Sequence, residues 1–106
     1  SITRSFKLED VEIVVTVGFY GDGVRPCELF INCGTRGSTL SGAFDSAAIA
    51  ASLALQHGMP IRVLAGKWRG QGFAPSGLTG DKVYPMASSV MDLVGRWLLD
   101  LFPEAA

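Results

Sequence analysis

His57 is the chain's only histidine, and Cys27 and Cys33 are its only cysteines. Any histidine- or thiol-based catalysis would have to pass through these three residues. His57 falls in the last turn of an expected helix, where an imidazolium suits the dipole. A capping or surface histidine is expected there, with a catalytic role as the alternative. Cys27 and Cys33 lie in PCELFINC, which reads as a strand. Six residues of strand span roughly 20 Å at about 3.3 Å per residue, whereas a disulfide needs Cα atoms within about 7 Å. The even separation puts both thiols on one sheet face, beside Leu29 and Ile31. Two buried small hydrophobes are expected, with a redox role for either as the alternative. There is no CxxC, so no metal site is expected. Ser46 has no base in the pattern, and Asp45 reads as a carboxylate in the first helical turn. No catalytic residue is assigned, and no cofactor.

Binding chemistry is better represented. Lys67 to Lys82, KWRGQGFAPSGLTGDK, holds four glycines, a proline, two aromatics, three cations and two hydroxyl residues. Loops this long are often functional. The functional reading is a ligand- or partner-binding loop. Trp68 and Phe73 would be stacking surfaces and Lys67 and Arg69 anion contacts, with Ser76, Gly77 and Thr79 alongside. The competing reading is an Ω-like loop pinned into the core by Trp68, Phe73 and Leu78. A second candidate is the crossing Gly34–Thr39, which contains Arg36. Gly-rich backbone entering a helix start is where anions bind. The Gly-Lys-Ser/Thr ending of a phosphate loop is missing, however, and a plain cap and turn is the expected reading.

These residues need a scaffold. Ile2, Arg4, Phe6 and Leu8 alternate with polar residues and predict a first strand. Val11, Ile13, Val15 and Val17 give the clearest strand pattern in the chain. Gly21-Asp22-Gly23 is a turn, so Val11–Tyr20 and Cys27–Asn32 form a hairpin. A central helix is expected from about Ser41 to His57. Ser38, Thr39 and Ser41 all qualify as its N-cap, Gly58 is its C-cap, and Pro60 blocks continuation. Its face of Phe44, Ala47, Ala48, Ala51 and Leu55 is widened by Ile49 and Leu53, which predicts burial against both the sheet and the last helix. Pro60 opens a short helix with Ile61, Leu64 and Trp68 on one side. The last helix is expected from Pro85 to about Phe102, with Met86, Val90, Leu93, Val94, Trp97, Leu98 and Leu101 as its apolar face. Asp92, Arg96 and Asp100 lie on its other side, spaced to pair. Glu104–Ala106 is a tail. The fold class is α+β: an antiparallel sheet of about three strands, then two long helices and one short helix packed on one face.

The 106 residues make one domain, 1–106, with an apolar fraction of 48 % and a charged fraction of 18 %. Both values suit a globular protein. A net charge of −1 argues against general nucleic-acid binding. No apolar run reaches membrane-spanning length, and SITRSFKLED has no signal core, so no membrane association and a cytoplasmic location are expected.

Four motifs occur in a familiar order. Glu28-Leu29-Phe30-Ile31 is an E-x-F-I strand. Ser52 to Pro60 is a helix end of the form S-L-A-L-Q-x-G-x-P. Phe73 to Gly77 gives F-x-P-S-G, followed by Thr79-Gly80. Ser89 to Leu98 gives S-x-M-D-x-x-x-R-W-L. Over residues 12–102 the chain resembles the C-terminal accessory region of adenosylcobalamin-dependent (class II) ribonucleotide reductases, which is related to the TSCPD domain. That resemblance implies a stand-alone, non-catalytic accessory or regulatory module in deoxyribonucleotide metabolism. It would act by protein association, with a reductase catalytic subunit as the partner. The family's radical-bearing cysteine, reducing cysteine pair and cobalamin and substrate sites belong to a catalytic barrel, and none maps onto this chain. Relatives carry a cysteine before the proline that is here Pro75. This chain has Ala74, so a redox or metal role there is not carried over.

The expected contact surface is the Lys67–Lys82 loop, with Arg36 and the Gly34–Ser38 crossing. A small nucleotide- or phosphate-binding protein using the same loop and the central helix N-terminus is the alternative. An enzyme with an unrecognised site is a third reading. A homodimer is expected from the broad apolar face of Val94, Trp97, Leu98 and Leu101.

Overall fold

A computed structural model describes residues 1–103, so the tail at 104–106 lies outside the described residues. Three strands, β1 (Ile2–Leu8), β2 (Val11–Phe19) and β3 (Pro26–Cys33), form an antiparallel sheet in the order β1-β2-β3. Period-two alternation builds it. Phe6, Leu8, Ile13, Val15, Val17, Leu29, Ile31 and Cys33 point into the core, while Lys7, Glu12, Glu28 and Asn32 face out. The register sets Phe6 opposite Ile13 and Val15 opposite Ile31. In the β2–β3 turn the Asp22 carboxylate accepts the Val24 and Arg25 amides, and the Arg25 Nε at 2.7 Å.

The helices are α1 (Thr39–Gln56), α2 (Ile61–Trp68) and α3 (Val90–Leu101). Between α2 and α3 lie two short paired strands, β4 (Gly77–Leu78) and β5 (Met86–Ala87). One core joins the inner sheet face to all three helices. The fold is therefore α+β, a three-stranded antiparallel sheet followed by three helices.

Helix boundaries depart from the expectation for local reasons. Ser38 is the α1 N-cap, its Oγ accepting the Ser41 amide at 3.1 Å. The helix therefore begins at Thr39, and Asp45 lies beyond its first turn, which holds no acidic residue. Gly58, at φ +97, takes the left-handed position after the helix. His57 is the C-cap: its ring Nδ1 lies 2.8 Å from the Leu53 carbonyl, as expected of a capping histidine. α3 starts at Val90 rather than Pro85, because residues 86–87 are drawn into pairing with β4 and Ser89 supplies the N-cap. Met86 is therefore an exposed strand residue, not part of the helical face.

α1 packs along β3, not between the sheet and α3. The Ser52 Oγ accepts the Leu29 amide at 2.9 Å, and Gln56 Nε2 donates to the Cys27 carbonyl at 3.0 Å. The free edge of β3 is covered in this way at Leu29 and Cys27. Ile49 and Leu53, expected inside, are 62 % and 52 % exposed. α3 packs on α2 instead, with Gly95 at the closest point. A Cβ on Gly95 would stand 2.7 Å from the Ala65 carbonyl oxygen and 2.8 Å from the Arg69 nitrogen. Arg62 ties the same pair, donating from Nη1 to the Leu99 and Phe102 carbonyls at 3.0 and 2.7 Å. Of the apolar face of α3, Val94, Trp97 and Leu98 are buried within the chain and Leu101 is half-buried.

Candidate partner-binding site

Asp92 organises the long loop. It occupies the third position of α3 and is 5 % exposed. Its Oδ1 accepts the Gly70 amide at 2.8 Å and its Oδ2 the Ser88 amide at 3.0 Å. Arg96, one turn on, places Nη2 3.2 Å from Oδ2 and also donates to the Met86 carbonyl. Ser89 completes the arrangement. Its Oγ accepts the Asp92 amide at 3.0 Å and donates to the Gln71 carbonyl at 2.7 Å. One carboxylate and one hydroxyl thus hold the loop start at Gly70–Gln71 and the approach to α3. The Ser-x-x-Asp spacing is a helix-start signal. Here the carboxylate reaches past its own cap to backbone on both sides, which makes Asp92 buried rather than a member of an exposed charged row.

The loop's far end is held by β1. Asp81 pairs with Arg4, whose guanidinium lies over the Phe6 ring at 4.4 Å from its centroid. Burial pushes the Asp81 carboxyl up, but the Arg4 hydrogen bond and the Tyr84 and Val83 amides outweigh it and hold it below its usual range. Tyr84 stacks edge-on against Phe6 and donates its hydroxyl to Asp100. Asp100 therefore serves the tyrosine rather than Arg96. Burial first, and then that bond to a carboxylate, raise the Tyr84 phenol to about 12.

The candidate residues divide sharply by role. Thr79 is internal glue: its hydroxyl donates to the Tyr84 carbonyl and accepts the Asp81 amide at 3.0 Å. Gly77 is required by its backbone, at φ +135 with the Glu9 carboxylate where a Cβ would stand. Lys67 and Trp68 fall in the last turn of α2 and Arg69 is its C-cap, so the loop proper begins later than expected. Trp68 packs half-buried against the core, whereas Lys67 and Arg69 are exposed. Phe73 and Leu78, proposed as core pins in the competing reading, are 41 % and 66 % exposed. The loop is pinned by polar groups, not by these side chains. Phe73, Ser76 and Gly77 do come together with Met86, Asp92 and Arg96 around an open cavity of about 740 Å³.

Arg36 is not part of that cavity. It lies in the crossing before α1, where the adjoining cavity is lined by Asp10 and Glu12 against the single cation Lys7. Cys33 is buried, and that burial raises its thiol, which suits the expected packing role; Cys27 is half-buried and free. Among the described residues no group of three or more histidines, cysteines or carboxylates could hold a metal ion. No helix among them is long and apolar enough to cross a membrane.

A sheet backed by helices on one face, with a long loop fastened to the last of them, defines the class as a small two-layer α+β domain. The particular family follows from comparison: the chain belongs to the TSCPD domain family, which matches residues 2–102. It is similar to proteins named vitamin B12-dependent ribonucleotide reductase. The one from Rhodopirellula baltica is 41 % identical over 98 residues, covering 92 % of this chain and 9 % of that protein. The one from Streptantibioticus cattleyicolor is 38 % identical over 104 residues, covering 96 % of this chain and 17 % of that protein. The chain thus spans only 9–17 % of these relatives. No solved structure matches.

Proposed function

We propose that this domain is a non-catalytic accessory module that works by association with a ribonucleotide reductase chain, and that the loop from Phe73 to Met86 is its contact surface. One observation carries the reading. Thr79, Asp81 and Tyr84 are engaged in holding the loop's shape, while its large apolar side chains point outward. Phe73, Leu78, Val83 and Met86 are between 41 % and 68 % exposed. Ordering a loop costs backbone entropy of about 1–2 kcal/mol per residue. A loop ordered by buried carboxylates yet displaying apolar groups is arranged to be covered. The reactive groups at the same place are engaged structurally: Asp92 by two amides and Arg96, Thr79 by its neighbours.

The test is sedimentation of the domain with a vitamin B12-dependent ribonucleotide reductase chain truncated before the matching region. A complex is expected, weakened at least tenfold by Phe73→Ser combined with Leu78→Ser. If no complex forms, or if the double variant binds as well as the parent, the reading is wrong.

A further inference from the structure

A second surface lies on the opposite flank of the sequence, between β3 and α1. A groove of about 410 Å³ runs there, within the size range of ligand sites. Phe30 forms one wall from the outward side of β3. Ile49 and Leu53, one helical turn apart on α1, form the other. These three are 49 %, 62 % and 52 % exposed, although each is large and apolar. The groove shares no lining residue with the cavity of the long loop. Its only charged lining residues are Glu28 and Asp45, both acidic. Ser52, at its floor, is already committed to the Leu29 amide and the Ala48 carbonyl, each at 2.9 Å.

We propose that this groove docks a short apolar segment of another protein flanked by lysine or arginine. Charge selects the flanks. Two carboxylates with no cation among the lining residues attract basic partners and oppose acidic ones. Size selects a segment over a second copy of the chain. A stable dimer needs about 800 Å² from each partner, and three half-exposed side chains supply well under half of that. One or two apolar anchors seated between Phe30 and the Ile49–Leu53 pair fit the usual energetics of such contacts, where a few central side chains dominate. Ser52 and Gln56 of α1 already occupy the strand edge at Leu29 and Cys27, so apolar side chains rather than strand pairing carry the contact there. This surface is separate from the loop contact and does not depend on it.

The experiment is fluorescence anisotropy of the folded domain with three labelled peptides. One carries two leucines flanked by paired lysines, one the same leucines flanked by paired glutamates, and one the lysines with serine in place of leucine. Only the lysine-flanked leucine peptide is expected to bind. Ile49→Ser and Leu53→Ser should each weaken it at least tenfold, with circular dichroism unchanged because both sites are exposed. Asp45→Lys should lower affinity for the lysine-flanked peptide and raise it for the glutamate-flanked one. Equal binding of both charge types, indifference to Leu53→Ser, or no binding of any peptide would overturn the proposal. So would a dimer in sedimentation that Leu53→Ser dissociates, since a second copy would then cover the groove.

Discussion

α1 and α3 solve opposite problems with the same kind of helix. α3 has 12 residues and buries eight of them, including the carboxylate of Asp92. α1 has 18 residues and buries four. α3 is covered by α2, the sheet and the loop approach, and Gly95 lets the α2 backbone come within contact of its own. α1 packs chiefly along β3 and turns Ile49 and Leu53 outward. The difference teaches that helix length and small-residue content do not mark the structural centre. The shorter helix is the scaffold, and the longer one lies along a strand with part of its apolar face exposed.

The comparison is broken most directly by equal truncations in the two helices. Leu98→Ala in α3 removes a side chain with no exposure, and should cost about 2–5 kcal/mol in urea unfolding. Leu53→Ala in α1 should stay within about 0.5 kcal/mol. Comparable losses would mean that α1 is covered in solution. Next in size is Asp92→Ala, expected to cost about 3 kcal/mol, because it strands the Gly70 and Ser88 amides and leaves Arg96 without its partner. Hydrogen exchange should also show amides 70–73 losing protection, while β3 keeps its own.

Gly95→Ala sharpens the same contrast. Alanine favours a helix by about 1 kcal/mol over glycine, so a gain would be expected from α3 alone. The new Cβ meets backbone atoms of α2 that have no rotamer to change, and a net loss of about 1–3 kcal/mol is expected instead. Thermal melts of Gly95→Ala against Gly42→Ala, which has open space at its Cβ, give the comparison directly.

The smallest effect is in pH. Tyr84 has its phenol raised from 10.0 to about 12 in the folded chain, so folding favours the protonated form. Its contribution is fully present below about pH 10 and is lost as pH rises toward 12. Tyr84→Phe should flatten that alkaline fall in stability, read by chemical denaturation between those values. Asp22 has the opposite sign. The Val24 amide and then Arg25 lower its carboxyl from 3.8 to about 2, so its contribution is lost as pH falls through that interval.

Much of the fold was legible because it rests on local pattern. The β-branched alternation of Val11–Val17, the Gly-Asp-Gly turn and the Gly58-x-Pro60 stop each act within a few residues, and each held. The candidate site was legible only in outline. The loop was located by composition, but residues chosen in it for chemistry, Gly77 and Thr79, proved to shape the backbone. Asp92, Ser89 and Arg96, which hold the loop start and the approach to α3, were visible only as members of the S-x-M-D-x-x-x-R-W-L motif and, for Asp92 and Arg96, as charges spaced to pair. A sequence records that a carboxylate is present, not that two distant amides turn toward it.

The order of the three sheet strands and the three helices, the α+β class and the kinship carried by four motifs were determined by sequence alone, because propensity, alternation and motif order are properties of neighbours along the chain; the short β4–β5 pair was not. Which helix is central, which apolar side chains stay outside and which carboxylate is buried were decided only by tertiary structure. Ile49 and Leu53 have the pattern of core residues, yet among the described residues no element returns to cover them. Gly95 has the pattern of a weak helix residue, yet α2 packs against its bare Cα. Burial is fixed by what folds back against a face, and that information is shared between residues far apart in the chain.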